Sequence, residues 1–288
     1  MLRPVEKGIL FAVAAFACYA LAALFVKTVT LSYPLIVFMR NAIGLLVFLP
    51  FFLKNKEELK TKRLPFHCLR VILSLATIYC STYGIQRLHL GDAILLEQTA
   101  PFFILAILFF KGEKISFLNL MALLTAFAGV GYILKPHFDV WQLSAIASLG
   151  AGLFAALSIL AMQSLGKTET SLSTLFYFLL LSTLLSMGPT AGHWTEISSW
   201  QQGLFLLLIG IFFAIFQYFL THALTLANAQ VVGSYSYFTA IFSIILGIVF
   251  LEEKFTFSRM IGTTLIIGAG LYIYYEKRML AKKKEEQG

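Results

Sequence analysis

The chain alternates between long apolar runs and short polar connections over nearly its whole length. Ten runs can be separated, each about the twenty residues that an α-helix needs to cross a bilayer core of about 30 Å. This pattern predicts an all-α integral membrane bundle of ten transmembrane helices, called spans one to ten. The spans cover residues 8–26, 33–53, 65–86, 91–110, 117–134, 141–161, 172–189, 202–223, 229–251 and 257–275.

Composition excludes a soluble protein. Apolar residues make up 59% of the chain and charged residues only 12%. The net charge of +8 would suggest nucleic acid in a soluble chain, but here the basic residues lie mostly between or beyond the apolar runs. The predicted partners are therefore the lipid bilayer and a small-molecule substrate, with no nucleic acid. The 3 cysteines lie in or beside apolar runs and are interpreted as small buried residues, so neither a metal nor a cofactor is predicted.

The distribution of Lys and Arg predicts the orientation of the chain. When the connections are assigned alternately to the two sides of a membrane, one side carries 16 basic residues and the other carries 5. The more basic side also holds both termini. Because basic residues accumulate on the cytoplasmic side, we expect a multi-pass protein of the cytoplasmic (inner) membrane with both termini in the cytoplasm.

Two stretches of the chain repeat. The connection after span four has the sequence GEKISF (112–117), and the one after span nine has EEKFTF (252–257), at an offset of 140. The spans that follow agree at the same offset, with GVGYI (129–133) against AGLYI (269–273). Upstream of spans four and nine, LHLGDA and LTLANA agree at an offset of 136. The Glu-Lys match lies in a connection, where hydrophobicity alone cannot produce it.

The repeat divides the chain into two halves of five spans. We predict a first half over 1–140, a second half over 141–276 and a charged cytoplasmic tail over 277–288. An odd number of spans per half means that the second copy must be inverted relative to the first. Inverted repeats of this kind are typical of secondary transporters that work by alternating access.

These features resemble the ten-span, EamA-type members of the drug/metabolite transporter superfamily. The resemblance covers about residues 5–276 and rests on the two halves, the Glu-Lys turns, Arg40 in span two, Pro101 in span four and the Gly-rich spans five and ten. It implies a central cavity lined by spans one, three, four, six, eight and nine. The charged second connection, LKPH after span five and LFY in span seven are also similar to bacterial S-adenosylmethionine carriers of this superfamily.

Span four carries the sharpest candidates for a functional site. Glu97, followed by Gln98, lies inside an apolar run, and Pro101 follows one turn later as a candidate kink or gating residue. A carboxylate in hydrocarbon is costly unless it is paired, solvated or protonated, so such residues usually line a path or a site. Glu97 is predicted to act in substrate binding or proton coupling, and a structural pair with a neighbouring Arg is the alternative. The partner span nine has neither an acid nor a proline inside its run.

Arg40 is the second candidate, since it lies too deep in span two for its side chain to reach the interface easily. It could bind a substrate carboxylate or phosphate, because a guanidinium group suits planar anions. It could equally lock the bundle through Glu97, Asp92 or the carbonyl group at a helix end. Both interpretations stay open at this point.

Further polar residues recur at helical spacing, which in lipid indicates faces turned toward the inside of the bundle. Mixed with aromatic rings, they would suit an amphipathic or flat organic substrate. The predicted substrate-binding or coupling residues outside spans two and four are Tyr79, Tyr83, Gln217, Tyr218, Gln230, Ser234 and Tyr237.

The predicted function is a transporter that moves a small organic metabolite by alternating access, either coupled to protons through Glu97 or working by exchange. The substrate would be amino-acid-like or nucleoside-like, S-adenosylmethionine included, and a multidrug exporter of the same fold is the alternative. A membrane-embedded lipid-modifying enzyme would need His, Asp or Cys clustered at one face, and here they are scattered. The chain also lacks the zinc, nucleophile-elbow and Walker motifs, so no enzyme is predicted. A monomer and a homodimer are equally compatible with the sequence.

Overall fold

A computed structural model describes residues 4–112, 117–134, 140–165, 168–226, 232, 235–254 and 256–285. Within these ranges the chain is almost entirely α-helical and contains no β-strand. Two short 3₁₀ helices, Lys56–Leu59 and Trp194–Glu196, lie in connections. The α-helices are α1 (Pro4–Thr28), α2 (Tyr33–Lys54), α3 (Leu64–Arg87), α4 (Leu90–Glu97), α5 (Ala100–Phe110), α6 (Phe117–Leu134), α7 (Val140–Leu165), α8 (Ser171–Thr190), α9 (Trp200–Leu226), α10 (Tyr237–Leu251) and α11 (Phe257–Glu285).

The prediction of an all-α bundle is confirmed. Most helices run a few residues past the apolar runs that predicted them, because backbone hydrogen bonding continues into the polar connections. Among the described residues, 7 helical segments are long and apolar enough to cross a membrane, and one of them, Leu90–Phe110, consists of α4 and α5 together. The count of ten spans stays a prediction, since span nine begins outside the described ranges.

Two predicted elements differ from the structure. Span four is not one helix, because it is interrupted at Gln98 and Thr99 between α4 and α5. Pro101, in the first turn of α5, has no backbone N–H to pair with the carbonyl oxygen of Glu97, which favours a break at this place. Span ten is also longer than predicted, because α11 continues to Glu285 and so includes residues 277–285 of the charged tail.

Helices from the two predicted halves pack against each other throughout the bundle. α1 packs on α9, α3 on α7, α2 on α8 and α9, α4 on α10, and α6 on α11. In the last pair, the small residues Ala122 and Ala126 are buried, and a Cβ at Gly129 would lie 2.8 Å from the carbonyl oxygen of Gly262.

The surface of the bundle is apolar where a bilayer would contact it. Large side chains such as Leu46, Phe110 and Phe250 are more than half exposed, at 65%, 86% and 65%. A soluble protein rarely exposes so many large apolar groups together, whereas hydrocarbon tails solvate them. The described helices therefore have the surface of an integral membrane protein.

The interruption in span four is held against α7 by a glycine. A Cβ at Gly152 would lie 2.6 Å from Thr99 Oγ1 and 3.0 Å from the carbonyl oxygen of Glu97. The Thr99 hydroxyl in turn donates to the carbonyl oxygen of Leu96 at 2.6 Å. The absence of a side chain at 152 is what lets α7 approach the break this closely.

We expect Gly152→Ala to destabilise the protein by about 1–3 kcal/mol, because the added methyl group has to displace backbone at the break. Gly150→Ala, two residues earlier on the same helix, is the control, because no atom lies within 4 Å of its would-be Cβ. The control should unfold at the wild-type temperature or slightly above it, since Ala is the better helix former. Thermal unfolding of both variants in detergent measures the difference, and equal melting temperatures would contradict this account of the break.

Candidate functional site

A central cavity of about 240 Å³ lies among the described helices. Its walls mix aromatic rings, hydroxyl groups and three charged side chains. The lining residues belong to α1, α2, α3, α7, α8, α9, α10 and the break between α4 and α5. They are Phe16, Tyr19, Arg40, Arg70, Ser74, Thr77, Ile78, Glu97, Gln98, Ala155, Ser158, Ile159, Phe178, Phe213, Phe216, Gln217 and Thr239.

Glu97 is the last residue of α4, and its carboxylate accepts hydrogen bonds from hydroxyl groups on two other helices. Tyr19 Oη on α1 donates to both oxygens, at 3.0 Å to Oε1 and 3.1 Å to Oε2. Ser81 Oγ on α3 donates to Oε2 at 2.7 Å. The ring of Tyr19 packs on Phe216 with ring centroids 5.0 Å apart, which fixes the direction of its hydroxyl group. The carboxylate is therefore solvated by the protein while one side of it faces the cavity.

Arg40 lies beside this cluster and is buried, with 7% of its surface exposed. Its Cζ atom is 3.9 Å from the centre of the Phe213 ring, a cation–π contact. Its Nε atom has no hydrogen-bond partner, and among the described residues no carboxylate lies within ion-pair distance of the guanidinium. The Glu97 carboxylate and the Tyr19 hydroxyl group still interact electrostatically with the guanidinium. Both interpretations of Arg40, substrate binding and locking of the bundle, therefore stay predictions.

The predicted site residues divide into three groups. Glu97, Gln98, Arg40 and Gln217 all line the cavity. The tyrosines lie elsewhere: Tyr79 and Tyr83 pack edge-on against Tyr33, Tyr218 is 46% exposed, and Tyr237 is buried where a Cβ at Gly270 would contact its ring. Gln230 and Ser234 lie outside the described residues. For all three groups a role in binding stays a prediction.

Several residues of the cavity were not among the predicted ones. Arg70 lies inside predicted span three, where it was counted only as one of the 16 basic residues of the cytoplasmic side; it lies in the second turn of α3 and faces the cavity. Like Arg40, it is a basic residue within an apolar run, and that signal could have found it. Tyr19 and Ser81 carry no sequence signal that links them to Glu97, since they are 78 and 16 residues away from it.

One end of the bundle, called the Glu253 end, is closed by polar contacts between the halves. It contains residues 29–32, 88–89, 191–199 and 252–254. The Glu253 carboxylate accepts from the backbone N–H of Leu90, at 2.9 and 3.0 Å, and lies 3.5 Å from His89 Nδ1. It thereby caps the N-terminus of α4.

Two further contacts strengthen the closure at the Glu253 end. Arg259 Nε lies 2.8 Å from Asp92 Oδ2 in a largely buried ion pair. Lys27 Nζ donates to the carbonyl oxygens of Gln86 and Leu88. Beneath them every residue of α4 from 90 to 96 is buried. Within the described part of the chain, these contacts and the buried α4 separate the cavity from this end.

The connections at the Glu253 end are also tied together. Glu196 Oε2 accepts from the backbone N–H of Ser32 at 2.7 Å, and its Oε1 lies 2.5 Å from His193 Nδ1. Partial burial raises the pKa of the Glu196 carboxyl, but the Ser32 N–H and His193 lower it by more, so this pKa lies below its usual range. The carboxylate therefore stays ionised and holds the α1–α2 and α8–α9 connections together.

The opposite end, called the Glu169 end, contains residues 55–63 and 168–170. Thr61 Oγ1 donates to Glu169 Oε1 at 2.9 Å, and Arg63 Nη1 donates to the carbonyl oxygen of Ser164 at 2.8 Å. These contacts join the connection after α2 to the connection after α7. Most cavity residues on α3, α7 and α9 lie in the half of their helix nearer this end, so the cavity extends from the middle of the bundle toward it.

The family profile that matches this sequence is described as the EamA-like transporter family. It matches twice, over residues 6–135 and 142–275. The chain belongs to the EamA-like transporter family. It is therefore a membrane transporter rather than an enzyme, as predicted, and the resemblance to the drug/metabolite transporter superfamily is confirmed.

Three named transporters are similar to this chain over most of its length. An S-adenosylmethionine uptake transporter of Rickettsia felis is 28% identical over 256 residues, 88% of this chain and 86% of that protein. The pseudopaline exporter CntI of Pseudomonas aeruginosa is 27% identical over 279 residues, 95% of this chain and 98% of that protein. A riboflavin transporter of Brucella anthropi is 27% identical over 274 residues, 89% of this chain and 95% of that protein.

A crystal structure shares the fold. It superposes with a TM-score of 0.65 at 16% sequence identity and covers 97% of this chain and 99% of its own.

We expect Glu253→Gln to lower the stability of this EamA-like protein by about 1–3 kcal/mol, because it removes the charge that caps α4 and faces His89. Glu252→Gln is the matched control, since it removes one carboxylate from the neighbouring residue, whose side chain is exposed. Thermal unfolding in detergent compares the two variants. If both lower the melting temperature equally, the effect is one of net charge and not of the Glu253 cap.

Proposed function

We propose that this EamA-like protein moves a small organic metabolite across the cytoplasmic membrane by alternating access, with proton coupling through Glu97. The observation that carries the proposal is the central cavity, which contains one carboxylate at its floor and is closed toward the Glu253 end. A site at the middle of a bundle that is closed at one end is the arrangement that alternating access requires. The membership of the family supplies the coarser conclusion that small molecules are transported.

The halves of the bundle support a rocking motion about the cavity. The repeat pairs span one (α1) with span six (α7), and span three (α3) with span eight (α9). The packing of α1 on α9 is therefore the counterpart of the packing of α3 on α7, as expected for an inverted repeat. Gly112 and Glu252 also stand at equivalent repeat positions and both have positive φ values, 83° and 53°. Residues 113–116 of the first Glu-Lys turn lie outside the described residues.

The Glu169 end would face the cytoplasm. α1 ends at the Glu253 end, where Lys27 contacts Leu88, so the chain begins at the Glu169 end. The excess of basic residues on the side of the termini favours a cytoplasmic position for that end. The cavity would then face the cytoplasm, and the opposite state would require the contacts of Glu253 and Asp92 to separate.

The proposed substrate class is inferred from the residues that line the cavity. Phe16, Phe178, Phe213 and Phe216 supply flat apolar surface, and Gln98 and Gln217 supply amide groups. Rings and a few polar groups together suit an amino-acid-like or nucleoside-like metabolite. The relatives' names, which include an S-adenosylmethionine uptake transporter, make that compound the first to test. The mixed uptake, export and riboflavin names of the relatives support no direction of transport.

Proton coupling follows from the surroundings of Glu97. Its ionised form receives hydrogen bonds from Tyr19 and Ser81, and its protonated form can return one, because both hydroxyl groups also accept. Either charge state is thus accommodated without rearranging the helices. A group that can hold or release a proton beside the substrate can couple the movement of the proton to the movement of the substrate.

We expect Glu97→Gln to abolish accumulation driven by a pH gradient while exchange of substrate across the membrane continues, because the amide imitates a permanently protonated acid. Purified protein is first screened by thermal shift against amino acids, nucleosides, S-adenosylmethionine and cationic drugs. The compound that stabilises it most is then measured in proteoliposomes, with Glu252→Gln as the control.

Accumulation by Glu97→Gln at the wild-type rate would contradict a coupling role for this residue. Loss of exchange as well, with normal folding, would place Glu97 in substrate binding instead. If no compound stabilises the protein or crosses the membrane, the transport of such metabolites is itself refuted.

A further inference from the structure

The charges that line the cavity do not balance. Among its described lining residues, Arg40 and Arg70 are cationic and Glu97 is the single acid. The cavity therefore carries a net charge of +1 with Glu97 ionised and +2 with Glu97 protonated. Unpaired charge in a low-dielectric bundle is costly, and a ligand of opposite charge would offset that cost.

Arg70 has only part of its hydrogen-bonding capacity satisfied. Its Nη1 atom donates to the carbonyl oxygen of Thr174 at 2.9 Å, and its Cζ atom lies 5.3 Å from the centre of the Phe178 ring. Its Nε atom is buried and has no partner. One edge of the guanidinium is thus anchored to α8, and the rest is free to donate to a molecule in the cavity.

Arg40 is in the same situation at the other end of the cavity. It rests on the Phe213 ring, its Nε atom is unpartnered, and 93% of its surface is buried. The nearby acid, Glu97, already accepts from the hydroxyl groups of Tyr19 and Ser81. Tyr19 and Glu97 also interact with the Arg40 guanidinium, but among the described residues nothing accepts from its Nε atom, so that donor is not used by the protein itself.

We propose that the substrate carries an acidic group, a carboxylate or a phosphate, and that Arg70 and Arg40 are the two residues that select it. This inference rests on the proposed transport function. Guanidinium groups match the planar or tetrahedral oxygens of such groups and bind them with charge-assisted hydrogen bonds. The rings beneath both guanidinium groups hold them in place without neutralising their charge.

The positions of the two arginines give them different tasks. Arg70 is six residues from the start of α3 at the Glu169 end, and Arg40 is seven residues from the start of α2 at the Glu253 end. At a rise of about 1.5 Å per residue they are separated by roughly 15 Å along the bundle. Arg70 meets the acidic group near the mouth of the cavity, and Arg40 holds it at the floor beside Glu97.

The experiment identifies the compounds that the transporter exchanges, without choosing a substrate in advance. Proteoliposomes are filled with an unlabelled extract of bacterial metabolites and placed in a ¹³C-labelled extract of the same cells. Counterflow then carries label inward whatever the direction or energy source of transport, and mass spectrometry identifies the labelled compounds and their acidic groups. Wild type is compared with Arg70→Gln, Arg70→Lys and Arg87→Gln.

The variants separate charge from structure. Arg70→Gln removes the charge and keeps a polar amide at about the position of Nε, and Arg70→Lys keeps the charge. Arg87→Gln loses the same charge at the other end of α3, where Arg87 is exposed and contacts Tyr83. Thermal unfolding confirms that each variant is folded.

We expect the exchanged compounds to carry a carboxylate or phosphate group, and their exchange rate at low concentration to fall at least about tenfold in Arg70→Gln. Arg70→Lys should retain more of that rate than Arg70→Gln, and Arg87→Gln should match wild type. Exchange of compounds without an acidic group, or a folded Arg70→Gln with the wild-type rate, overturns the proposal while leaving transport intact. No labelled compound in wild type refutes the proposed function instead.

Discussion

The bundle is organised around the cost of keeping a carboxylate away from water. Glu97 lies where span four is interrupted, and the protein supplies the solvent that hydrocarbon cannot. Tyr19 and Ser81 bring hydroxyl groups from α1 and α3 to its oxygens. Each donor fixes the position of a different helix, so solvating this one charge also determines how three helices meet.

The same constraint explains why α7 packs closely against the break between α4 and α5. An interrupted helix leaves backbone groups that need close neighbours, and only a helix without a side chain at the contact can approach them. Gly152 provides that contact. The cavity, the break and the small residues of α7 are therefore one arrangement, in which a polar space is kept open inside an apolar bundle.

Much of the fold could be predicted because lipid imposes it. A run of twenty apolar residues has few structural options, so the positions of α1, α2, α3 and α8 follow closely from the sequence. Proline in span four indicated a kink, although not that the helix would end at Glu97. Charged residues in apolar surroundings, Glu97 and Arg40, are costly enough to be informative without any knowledge of their neighbours.

The rest of the site depends on contacts between distant parts of the chain. Tyrosines at helical spacing carry no such information, since a ring is tolerated equally in the core, as Tyr237 is, and on the outer surface, as Tyr218 is. Arg70 was counted only for its charge, as part of the basic side, because a basic stretch precedes it. The pairing of Asp92 with Arg259, across the two halves, could not be inferred from either sequence segment alone.

The cap on α4 has a consequence for biogenesis. The backbone N–H of Leu90 donates to a carboxylate that is synthesised 163 residues later. Until Glu253 arrives, the first turn of α4 must rely on water or lipid headgroups for a partner. The first half is thus left incomplete during translation. The two halves are related in sequence, but they assemble as a single unit. A first half expressed alone would lack the acceptor on which α4 depends.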